Sequence, residues 1–88
     1  MKSKVVEIEG RKFRFEFYTD SWGILWTSVY EIYREKKNFF DHSYEKQIGE
    51  RWGSEDPVEL GYEIVKETFE REKLRKEMYR KVDEFCSN

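Results

Sequence analysis

The chain has no alanine, one cysteine (Cys86), one proline (Pro57), one histidine (His42) and three Asn or Gln residues (Asn38, Gln47, Asn88) in 88 positions. Each scarcity excludes something. A lone cysteine cannot close an intramolecular disulfide and suits a reducing compartment. One His and one Cys cannot supply the four N/S ligands of a structural zinc site, and the acids from Asp41 to Glu59 lack the spacing of a calcium loop. No apolar run approaches the ~18–20 residues of a membrane span. Met1-Lys2-Ser3-Lys4 leads straight into an alternating pattern rather than a signal peptide. The expectation is a cytoplasmic protein with no membrane, metal or cofactor.

What is present is a set of rings in a charged shell. Trp, Tyr and Phe number 3, 6 and 7, while 41% of residues are charged. One domain spanning 1–88 is near the size at which a single core barely suffices, and each buried ring removes roughly 150–250 Å² from water. The many Glu and Lys with few amides form the bias of proteins from hot environments, while the absent alanine and abundant Phe, Tyr, Ile and Lys equally fit an AT-rich genome. A net charge of −2 attracts neither nucleic acid nor an anionic membrane as a whole. The charge is nevertheless divided. Asp41 to Glu63 holds seven acids against two bases, whereas Lys66 to Lys81 holds seven bases against four acids.

Residues 4–18 read as a β-hairpin. Val6, Ile8, Phe13, Phe15 and Phe17 share one parity, and Glu7, Glu9, Arg14 and Glu16 take the other. A two-residue turn at Gly10-Arg11 would pair Glu9 with Lys12, Ile8 with Phe13, Glu7 with Arg14 and Val6 with Phe15. Residues 20–37 read as a helix capped by Thr19 or Asp20, with Trp22, Leu25, Trp26, Val29 and Tyr33 as its apolar stripe and Asn38 as its stop. Residues 39–53 fit a short helix, because Phe40, Tyr44, Ile48 and Trp52 recur every four positions, or else a third strand. Asp56-Pro57-Val58-Glu59 is a capping-box start for a helix over 56–85, long enough to overshoot a small globule or break. The expected fold is therefore α+β: a hairpin or three-stranded sheet under two or three helices, the last one long. Phe13, Phe15, Phe17, Trp22, Trp26, Ile64 and Val65 are its expected core.

For chemistry there is little. Asp41-His42-Ser43-Tyr44-Glu45 contains the one imidazole, but adjacent residues point apart, whereas catalytic groups converge from separate elements. The reading is not an enzyme. Residues 11–18 superficially resemble the aromatic strand of RNA-recognition sheets. Lys12 and Arg14 stand where that motif has small residues, and Glu16 where it has an aliphatic one. On the long helix, Leu74, Met78, Val82 and Phe85 form an apolar seam beyond what a small sheet can cover. The leading expectation is thus a small protein-binding module, a homodimer or a regulator or inhibitor of a larger protein, of the kind a virus or mobile element encodes. The alternative is nucleic-acid binding by the Phe-rich strand and the basic segment 66–81, with Arg71, Arg75, Lys76, Arg80 and Lys81 neutralising phosphates.

Overall fold

A computed structural model describes residues 1–37, 40–53 and 56–87. Four strands run β1 Lys2–Ile8, β2 Arg11–Thr19, β3 Leu25–Lys37 and β4 Phe40–Trp52, followed by one helix, α1 Pro57–Cys86. The strands form one antiparallel sheet in the order β1-β2-β3-β4, and α1 packs on one face of it. The class is α+β, with one helix among the described residues where the sequence predicts two or three.

Residues 20–37 are the main correction. From Leu25 onward they are a central strand, paired with β2 on one side and β4 on the other. Trp22, Leu25, Trp26, Val29 and Tyr33 satisfy a helical stripe, but Trp26, Thr27, Val29, Tyr30, Ile32 and Tyr33 are β-branched or aromatic residues that favour a pleated surface. Asp20 caps a turn and not a helix: its Oδ1 accepts from the backbone N–H of Trp22 and Ile24, and its Oδ2 from Trp26 Nε1 at 2.8 Å. Trp22, expected in the core, is 86% exposed at this turn. Trp26 lies on the face away from the helix beside Trp52, with ring centroids 6.3 Å apart. Asn38, read as a helix stop, lies outside the described residues. Of the segment read as 39–53, Phe40–Trp52 is strand β4, the fourth strand and not a third.

The first hairpin also differs in register. Val6 pairs with Phe13, Glu7 with Lys12 and Ile8 with Arg11, so the turn is Glu9-Gly10. Both turn residues have positive φ, 50° at Glu9 and 77° at Gly10, the requirement of a type I′ turn that matches strand twist. The shift is two residues, so every side chain keeps the face that its parity predicts.

Phe13, Phe15, Val29, Ile64 and Val65 form the buried core, with Val6, Ile8, Phe17, Ile48 and Phe69 packed around it. Two glycines set the separation of helix and sheet. A Cβ on Gly61 would fall 2.6 Å from the Phe15 ring, and one on Gly49 would fall 2.5 Å from Ile64 Cγ2. A register shift after Val29 lets Ile48 and Gly49 both serve the helix side of β4. The helix begins at the Asp56 cap, whose side chain accepts from the N–H of Val58 and Glu59 at 3.1 Å. It then runs 30 residues, about 45 Å at ~1.5 Å per residue. The sheet cannot cover that length. The radius of gyration is 16.8 Å, against about 12 Å for a compact chain of this size.

Candidate interaction surface

Where α1 leaves the sheet is fixed by one arginine. Arg11, at the start of β2, donates to both carboxylate oxygens of Glu31 (2.7 and 2.6 Å) and both of Glu72 (2.7 and 2.9 Å). Its guanidinium also sits 4.8 Å from the centroid of the Phe69 ring. Tyr33 donates from Oη to Glu31 Oε1 at 2.8 Å. Glu31 is buried in the sheet, and its hydrogen bonds from Arg11, then Tyr33, hold its carboxyl below the ordinary carboxylate range against the opposing effect of burial. Arg11 likewise holds the Glu72 carboxyl down. Burial, then the bond to Glu31, raises the Tyr33 phenol. A second clamp, Arg51 with Glu67, ties β4 to the same half of the helix, and Thr27 Oγ1 donates to the carbonyl of Pro57 at 3.1 Å.

Beyond Glu72 every helix residue from 73 to 86 is exposed. Leu74, Met78, Val82 and Phe85 are 61, 60, 55 and 81% exposed, and Tyr79 stands beside them. Arg71, Leu74, Arg75, Met78, Tyr79 and Val82 line a shallow groove along this overhang. Of the bases proposed for phosphate contact, Arg80 is engaged by Glu77 and Glu84 of its own helix. Arg71, Arg75, Lys76 and Lys81 lie on the exposed overhang or its root.

A second projection leaves the body at the same end. The β2–β3 pairing stops at Lys12 opposite Ile32, so the rest of β3 pairs with β4 alone. Tyr33 and Tyr44 stack across this two-stranded arm, 5.2 Å between centroids and 20° between planes. Between arm and helix lies a cleft bordered by Tyr33, Lys46, Gln47, Thr68, Arg71 and Arg75. The arm and the cleft escaped the sequence reading because they depend on β3 being a strand.

His42 is an exposed residue of the arm opposite Glu35, and Ser43 on the next position takes the other face. Among the described residues no three His, Cys, Asp or Glu side chains gather as a metal site needs. Phe13 and Phe15, the centre of the proposed stacking strand, are buried under α1. Among the described residues no helix is long and apolar enough to cross a membrane.

No family model matches the chain, and no curated protein or solved structure matches it either.

Proposed function

We propose that the chain is a non-enzymatic protein-binding module whose working surface is the overhanging half of α1, and that its first partner is a second copy of itself. One observation carries this reading: residues 73–86 are exposed throughout, yet they carry Leu74, Met78, Val82 and Phe85 as one apolar seam. An isolated helical half of this length is marginal in water, and a contiguous apolar strip on it gains from being covered. The wet side chains around the seam suit a contact that forms and separates between folded partners. A role as regulator or inhibitor of a larger protein would use the same seam once the self-contact opens.

The nucleic-acid reading finds less support. Its stacking rings are in the core, and Arg80 is already held between two carboxylates.

Light scattering after gel filtration tests the proposal. The wild-type chain is expected to elute as a dimer, and Met78→Glu as a folded monomer. A wild-type monomer at high micromolar concentration overturns the self-association.

A further inference from the structure

The cleft between the two-stranded arm and α1 gathers charge of one sign. Thr68, Arg71, Glu72 and Arg75 recur at i, i+3, i+4 and i+7, so they share one face of the helix, and that face borders the cleft. Lys46 stands opposite Glu31 in the β3–β4 register, on the helix side of the sheet. Tyr33, stacked on Tyr44, forms part of the wall. The cleft holds about 230 Å³. Pockets for a whole small molecule run to about 300–1,000 Å³, so this one suits a single charged group.

The polar groups around it divide into two sets. The neutral donors are turned inward: Thr68 Oγ1 donates to the carbonyl of Ile64 at 2.9 Å, Tyr33 Oη to Glu31, and Gln47 Nε2 to Glu50 at 3.2 Å. The carboxylates are engaged as well. Arg11 donates to both oxygens of Glu31 and of Glu72, and Arg51 holds Glu67, one turn before Arg71. Lys46, Arg71 and Arg75, by contrast, make no hydrogen bond or ion pair among the described residues. Five bases against three acids leave this corner with two positive charges unanswered.

We infer that the cleft binds a phosphate monoester, with the planar N–H forks of Arg71 and Arg75 on its oxygens and Lys46 completing the charge. A monoester carries about −1.5 to −2 at neutral pH and so matches the surplus, whereas a carboxylate or a phosphodiester carries a single charge. The site is complete within one copy of the chain and does not rest on the self-association proposed above. Arg71 and Arg75 also line the seam groove, so an ester borne on a partner's side chain would set its neighbours against Leu74 and Met78.

Ligand titrations followed by NMR of the amides and arginine side chains test this, at fixed ionic strength and about pH 7.5, above the second pKa of the ester near 6. The probes are N-acetyl-phosphoserine amide, a phosphoserine peptide with leucines three and four residues further on, acetate, and an oligothymidylate with a 5′-hydroxyl end. Phosphoserine amide is expected to give saturable shifts confined to residues 44–47 and 68–75, with an affinity roughly tenfold or more above that of acetate. Lys46→Gln, at an exposed position, should weaken it roughly tenfold, the loss of one charge-assisted contact. Lys73→Gln removes the same charge from the opposite flank of the helix and should leave it unchanged. Tighter binding of the peptide than of the amide assigns the ester to a partner protein, and equal binding assigns it to a free phosphate compound; both uphold the site. Acetate binding as tightly as phosphoserine, the oligonucleotide binding more tightly, equal weakening by the two lysine variants, or no saturable shift would each overturn it.

Discussion

Gly61 and Phe15 touch so closely that the helix has no room for a β-carbon: one built on Gly61 would fall 2.6 Å from Cε2 and 2.7 Å from Cδ2 of the ring. In an exposed helix, Gly→Ala stabilises by about 1 kcal/mol. Here the added methyl must push helix from sheet, and overpacking of a core costs about 1–3 kcal/mol. Gly61→Ala is therefore expected to lower the melting temperature despite its better propensity. Phe15→Leu, itself destabilising, should absorb part of that loss in the double variant. A Gly61→Ala protein more stable than wild type would show that the helix does not sit this close.

The Glu9-Gly10 turn makes the opposite prediction. Glu9 holds a left-handed conformation at φ 50°, which costs an ordinary L-residue roughly 1–2 kcal/mol and which Asn tolerates better. Glu9→Asn should stabilise the fold by about 0.5–1 kcal/mol, read as a higher denaturant midpoint at unchanged slope. No change would place the turn elsewhere, as in the Gly10-Arg11 register.

What could be read from the sequence follows the range of each signal. The hairpin faces and the start of α1 rest on contiguous cues: parity in one case, Asp56-Pro57 in the other. Strand β3 was hidden because Trp22, Leu25, Trp26, Val29 and Tyr33 fit a 3.6-residue stripe. What decides between helix and strand there is pairing with β2 and β4, which no local window contains. The Arg11 cluster was invisible for the same reason, since its partners lie 20 and 61 residues away. The seam was legible because it is one stripe on one helix, whereas the arm beside it required the missed strand.

That Arg11 cluster gives the fold a predictable acid response. Arg11 holds the carboxyls of Glu31 and Glu72 below their ordinary values, so each contributes stability that is full above the unfolded carboxylate range, near pH 4.3, and is lost as pH falls through the folded value. Glu31→Gln should lower stability at pH 7 by about 1–3 kcal/mol, because Arg11 keeps Glu72 but loses its buried partner. The same variant should lose less than wild type on going from pH 7 to pH 3. Thermal melts at the two pH values check this, and parallel losses in both proteins would remove Glu31 from the acid response.

The two halves of α1 should differ most clearly in amide hydrogen exchange. Residues 58–72 are held by the Phe15, Ile64 and Arg11 contacts, all within one folded body, so their protection should be independent of protein concentration. Residues 73–86 are exposed throughout, and under the proposed self-association they are held by a second copy. At low micromolar concentration their amides should exchange within seconds to minutes as the helix end frays, and raising the concentration should slow them progressively by mass action. Met78→Glu should abolish the slowing while leaving residues 58–72 unchanged, because among the described residues the seam side chains are all exposed. Strong protection of 73–86 at every concentration would mean that the overhang is held within the monomer, and the seam would then be core and not interface.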